Sequence, residues 1–265
     1  MKDEASIIMY IHPTCATSYS IIKYLYEKNL IDRIKIINTS MVHRLPGFKI
    51  WSVPWVVRNN KPVATDPVDG KELEALIEGN EIIIKDLVNA FMSSVLHSVL
   101  ASAIAALHSS IRPVIDVDLL NAATRGMLED SEAVNVINEL SSKSEILYEE
   151  WRERIARALS ISFVRDVWWS HGGQLEHSDV EAIATPGYIG AWLIAKAGIG
   201  RIALPDKPLL LHTNTKTLNA MSRFIRSNVK GLVRKIEKEQ KTIIDDGEYW
   251  NIINRISSDT IFRDY

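Results

Sequence analysis

Apolar and polar positions follow two rhythms along the chain. In the first stretch, short β-rich apolar runs alternate with helical segments. Ile7 to Ile11 reads as a strand, and Ser18 to Asn29 as a helix with Ile21, Ile22, Leu25 and Tyr26 on one face. Ile34 to Asn38 reads as a second strand, Trp51 to Val57 as a third, and Pro62 to Ala64 as a short fourth after a turn at Asn59-Asn60-Lys61. Asp69-Gly70 then opens a helix with Leu73, Leu76 and Ile77 at helical spacing, Asp69 as N-cap and Gly79 as its stop. Near Glu81 the period changes, and from Ile83 onward it is helical throughout.

Within that second stretch, Leu87 to Ile111 carries no formal charge over 25 residues, enough to cross a bilayer. Asn89, Ser93 and His97, with Ser94, Ser98 and Ser102, form a polar stripe beside Val88, Phe91, Val95, Val99 and Ile104. That favours one buried helix approached closely by another over a membrane span. Ser142 to Glu145 and Ser178 to Glu181 match the capping box. Thr215 to Lys241 predicts a long amphipathic helix burying Leu218, Met221, Ile225, Val229, Leu232 and Ile236. Pro186-Gly187, Gly198-Ile199-Gly200 and Leu204 to Pro208 read as helix stops and loops. The expected organisation is an α/β domain over residues 1–80, a central mixed sheet flanked by helices, followed by a larger all-α domain over 81–265 packed directly against it.

Composition narrows the function classes. Hydrophobic residues make up 46% and charged residues 24%, as in a globular protein with ample core. A net charge of −2 gives no global attraction to nucleic acid or anionic membranes. From Arg223 to Lys241, seven Lys or Arg face Glu237 and Glu239, which reads as a solvated helix face rather than a nucleic-acid surface. The amino-terminal residues are too acidic and the apolar run too short for a signal peptide, so cytoplasmic location is the expectation, with neither membrane nor nucleic acid as partner. Trp168 to Gly173 looks like a loop anchored by two core tryptophans. His171 and His177 lack a carboxylate or cysteine at ligand spacing, so no metal site is expected. Nucleotide-binding glycine motifs and H-E-x-x-H are absent from the sequence.

The candidate chemistry gathers on the single cysteine. Cys15 sits in His12-Pro13-Thr14-Cys15 between a strand and a helix, at the positive end of the helix dipole, where a thiolate is stabilised. One cysteine makes no internal disulfide. Ser18, three positions on, can donate a hydrogen bond to the thiolate or cap the helix. Thr14 is a further donor beside the thiol, and His12 reads as an exposed turn residue rather than an imidazolium partner.

Three features together resemble the thioredoxin superfamily, nearer to glutaredoxins and to the N-terminal domain of glutathione transferases than to thioredoxin. They are the strand–HPTCATS–helix order at His12 to Ser18, the Val53-Pro54 element, and the Asn59 to Val63 turn followed by a helix opening at Asp69-Gly70. The resemblance covers about a third of the chain. It implies a cis Pro54 facing Cys15, with the backbone of Val53 beside a bound thiol or peptide. The family's second cysteine is replaced by Ser18, which leaves one-thiol chemistry: Cys15 as nucleophile, an external thiol resolving the adduct.

The expected activity is therefore that of a monothiol thiol–disulfide oxidoreductase or thiol transferase acting on a thiol or disulfide substrate or partner protein. It needs no bound cofactor, and a low-molecular-weight thiol is the simplest co-substrate. Two alternatives stand beside it. One is a non-catalytic binding or scaffold protein. The other is a glutathione-transferase-like enzyme in which Ser18 or Tyr10 orients a bound thiol cofactor, an architecture in which a homodimer is also open.

Overall fold

The computed structural model describes residues 7–41, 49–202 and 215–261. It is a small mixed sheet with flanking helices, followed by a chain that is helical in every described element after residue 86. The elements are β1 (Ile7–Ile11), α1 (Ala16–Glu27), β2 (Lys35–Asn38), β3 (Trp55–Arg58), β4 (Lys61–Thr65) and α2 (Gly70–Glu78). Next come α3 (Leu87–His97), α4 (Val99–His108), α5 (Val117–Ala123), α6 (Asp130–Ser142) and α7 (Ser144–Ser170). The last are α8 (His177–Ile183), α9 (Pro186–Ile202), α10 (Thr215–Ile244) and α11 (Gly247–Ile261).

The chain forms two compact units that do not follow sequence order. One runs to Ser94 and takes in Asp116–Asn135 and the chain from Gln240; the other comprises Val95–Ile115 and Val136–Glu239.

In the first unit the strand order is β2-β1-β3-β4, with β1 parallel to β2 and both other pairs antiparallel. The parallel pair needs a crossover, which α1 supplies. The β3–β4 hairpin closes on Asn59 and Asn60 with φ of 51° and 63°, the left-handed pair that a two-residue hairpin turn requires. Helix α2 has the expected caps: Asp69 accepts from Glu72 N at 2.9 Å, Glu72 reaches back to Asp69 N, and Gly79 ends the helix at φ 81°.

Late segments complete this unit. Ile252 and Ile253 of α11 share one core with Ile21, Ile22 and Leu25 of α1 and with Met9, Ile11 and Val56 of the sheet. Helix α5 packs on β4. Asp116 caps α5 through the N–H groups of Asp118 and Leu119, and it also accepts from the indole of buried Trp51 at 3.3 Å and from Lys49 at 2.6 Å. This ties residues 49–51 to α5.

In the second unit α4 is buried along most of its length and packs against α7 and α9, its alanines and Ser102 allowing close approach. Tyr148 of α7 meets Thr217 of α10 at 2.7 Å, and Asp166 of α7 accepts from Trp192 and Lys196 of α9 at 2.8 and 2.6 Å. The six apolar residues expected inside α10 are all buried.

Several local expectations change. Leu87 to Ile111 is two helices, not one. Ser98 leaves helical geometry at ψ 109° and accepts from Ala101 N, so it starts α4, while Ser102 donates to Val95 O at 2.7 Å. The serine row thus satisfies a helix break rather than lining a continuous face. Among the described residues no single helix is long and apolar enough to cross a membrane, though α3 and α4 as a bent pair have the length and composition.

Ser142 does not cap α7; its hydroxyl donates to Glu139 O, and Lys143 precedes the helix without a side-chain cap. The box expected at Ser178 is two residues earlier, Glu176 N donating to Asp179 at 3.2 Å. Pro186-Gly187 begins α9 and Gly198 to Gly200 lies inside it, whereas Leu204 to Pro208 falls outside the described residues. Trp168 and Trp169 belong to α7, and only Trp168 is core, Trp169 being 39% exposed. The third strand begins at Trp55 rather than Trp51.

Candidate functional site: the Cys15 turn

Helix α1 starts at Ala16, two residues earlier than the pattern suggests, which makes Cys15 the N-cap residue with extended geometry (φ −76°, ψ 125°). Its N–H donates to His12 O at 3.0 Å and its carbonyl accepts from Tyr19 N at 2.9 Å, so the turn is closed by backbone bonds on both sides. Ser18 is therefore in the first helical turn and is not the cap. It is fully buried, and its hydroxyl has no hydrogen-bond partner apart from the Cys15 thiol, whose thiolate form it favours.

The peptide bond between Val53 and Pro54 is cis, as is that between Asp66 and Pro67. The half-buried Cys15 thiol donates to the carbonyl of Val53 at 3.3 Å. The structure thus brings together Cys15, Ser18 and Val53 among the residues singled out in sequence.

Thr14 is turned elsewhere. Its hydroxyl and its N–H meet His12 Nδ1 at 3.0 and 3.3 Å, so it is tied to the turn rather than held towards the thiol. His12 is half-buried rather than exposed, and burial lowers its pKa, which keeps the imidazole neutral at pH 7. Tyr10 lies on β1 opposite Trp55, and burial raises its phenol above the ordinary value.

Electrostatics correct the simplest reading of the helix terminus. Burial is the strongest influence on the Cys15 thiol and pushes its pKa up. The N–H and hydroxyl of Ser18 and the N–H of Thr17 favour the thiolate and pull the other way, while the Asp66 carboxylate adds to the rise. The helix terminus alone would lower the pKa; here desolvation outweighs it.

Two residues of this site are not signalled by the sequence around the cysteine. Tyr249 of α11 is buried, donates to Pro13 O at 2.8 Å, and packs edge-on against Tyr19 with ring centroids 4.9 Å apart. Its phenol is raised by burial first and by Cys15 second, which places it within electrostatic reach of the thiol. Asp66 accepts from the Thr17 hydroxyl at 3.2 Å. Neither has a local motif: Tyr249 is brought in by tertiary packing, and only the position of Asp66 at the end of β4 could have pointed to it.

Among the described residues no group of three His, Cys, Asp or Glu is placed to hold a metal ion. Comparisons with protein families, with curated proteins and with solved structures return no match for this chain.

Proposed function

We propose that the sheet-bearing unit is thioredoxin-like and performs one-thiol exchange at Cys15. The observation that carries the reading is the contact of the Cys15 thiol with the Val53 carbonyl, at the start of α1 and beside the cis bond to Pro54. The strand order and the α1 crossover support it. The Cys15 thiolate attacks one sulfur of a disulfide; that S–S bond breaks and the other sulfur leaves as a thiolate that takes up a proton. An external thiol, the reductant, then attacks the mixed disulfide and releases Cys15. Ser18 holds the thiolate by hydrogen bonding and cannot resolve the adduct, and the backbone of Val53 aligns the incoming sulfur. Thr14 holds the turn through His12. The co-substrate is a small thiol, and the substrate a disulfide of a small molecule or protein.

The test is intact-mass measurement after incubation with 2-hydroxyethyl disulfide. A mixed disulfide at Cys15 that is cleared by added thiol supports the reading, and a native protein that forms no adduct at pH 9 overturns it.

A second reading, a binding module that keeps the frame without turnover, is favoured by the raised Cys15 pKa, which leaves the thiol mostly protonated at neutral pH. It expects Cys15→Ala to retain partner binding and cellular function.

A further inference from the structure

Away from the Cys15 turn, the first unit holds a second feature that the exchange chemistry does not use. At the β3–β4 hairpin, a cleft of about 520 Å³ opens between the hairpin, the end of α2 and the loop after α5. That size is within the range of small-molecule sites. Arg58 and Lys61, the residues flanking the Asn59-Asn60 turn, line it and are directly opposed in the strand register. Like charges in that position destabilise a hairpin.

Among the described residues neither cation has a carboxylate partner. Arg58 donates one terminal nitrogen to Leu76 O, and Lys61 donates to Leu128 O at 3.2 Å. Both therefore spend one donor on the backbone and keep others, and the buried Nε of Arg58 has no partner at all.

A third cation closes the wall. Arg125 has a side chain only 6% exposed, pairs with Glu72 at 3.0 Å, and donates to Pro67 O at 2.6 Å and Ala122 O at 3.2 Å. Its Nε is buried without a partner. Arg125 and Gly126 hold left-handed backbone at φ 61° and 71°. Val63 lies against Gly126, so close that an added Cβ would come within 2.8 Å of it. Against three cations stand Glu72, already paired to Arg125, and Glu81, exposed at the rim. Val63, Leu76 and Ile82 supply apolar lining.

We propose that this cleft binds a small phosphate monoester. Its head, with a charge of about −1.5 to −2 at neutral pH, matches the two unpaired cations at the hairpin better than a carboxylate does. Arg58 presents the guanidinium edge, Lys61 the point charge, and the apolar lining takes the body of the molecule.

The test is a titration of the full-length ¹⁵N-labelled chain with inorganic phosphate, acetate and chloride at matched ionic strength, following the Nε–H signals of Arg58 and Arg125. The expected result is a saturable response to phosphate that exceeds the response to acetate. Lys61→Gln weakens it at least about tenfold, the loss of one charge-assisted contact, while Glu81→Gln tightens it. Arg58→Lys, which keeps the charge but loses the fork, weakens it without abolishing it. An equal response to chloride, tighter binding of acetate, or unchanged phosphate binding in Lys61→Gln each overturns the proposal.

Discussion

The Cys15 thiol donates to the carbonyl of Val53 at 3.3 Å, so two residues far apart in sequence meet as hydrogen-bond donor and acceptor at the start of α1. The thiol in this contact is protonated, in keeping with the rise that burial imposes on its pKa. Exchange at this site requires losing that proton, which the N–H and hydroxyl of Ser18 favour first and the N–H of Thr17 after them.

Ser18→Ala is therefore expected to move the Cys15 titration further up, because the hydroxyl that favours the thiolate is gone. Asp66→Asn is expected to move it down by removing a like charge. Iodoacetamide alkylation rates against pH measure both shifts. Opposite signs for the two variants are the expected result, and shifts in the same direction would reject these assignments.

Tyr249→Phe removes the hydroxyl that bonds Pro13 O. A buried acceptor left without its donor costs about 1–2 kcal/mol, measurable by urea unfolding. The same variant is expected to speed native-state alkylation of Cys15, because the turn loses its tether to α11. An unchanged alkylation rate would mean that Tyr249 supports only the core.

Acid is expected to loosen α11 from α1. Asp246 accepts from Tyr249 N at 2.9 Å and Tyr19 at 2.8 Å and faces Lys23 at 3.3 Å; the Tyr249 N–H bond is the largest influence holding its carboxyl below the ordinary 3.8. Its folded value lies below its unfolded one, so the stabilisation is complete above pH 3.8 and is lost as the pH falls through the folded value. Asp246→Asn is expected to cost about 1–2 kcal/mol at pH 7 and to flatten the fall in stability below pH 4, as read by denaturant unfolding across pH.

Gly70→Ala is expected to destabilise by about 1–3 kcal/mol through overpacking. A Cβ at Gly70 would sit 2.3 Å from the ring of Tyr24, whose hydroxyl is bonded to Glu74 and so resists moving aside. In a Tyr24→Ala background Gly70→Ala should cost much less than in the wild-type chain, a double-mutant comparison that isolates the clash from the cost of losing Tyr24 itself.

What was legible in the sequence is what neighbours in sequence decide. The Asp69 and Gly79 caps, the Asn59-Asn60 turn and the β1 strand depend on a few adjacent residues, and each is found where the pattern places it. The break at Ser98 was hidden because a serine that starts a helix looks like any serine within an apolar run. At α8 the box expected at Ser178 forms two residues earlier, from Glu176 and Asp179, a pair outside the usual capping pattern. The ascent of the Cys15 pKa was illegible for a different reason. The dipole of α1 is local and visible, whereas the burial that overrides it depends on tertiary packing, and the turn's bond to Tyr249 comes from the last helix. Residues 116–135 and those from 240 onward join the sheet-bearing unit by long-range packing, which no local periodicity announces.

The central claim, that Cys15 is a working nucleophile and not a buried structural thiol, is tested most directly by its rate of exchange with an aromatic disulfide, native against urea-unfolded, from pH 7 to 9.5. The account predicts a native rate that climbs about tenfold per pH unit across the lower part of this range and, per thiolate, matches or exceeds that of the unfolded chain. A native rate at least about a hundredfold below the unfolded one at every pH, with reaction appearing only on unfolding, would contradict it.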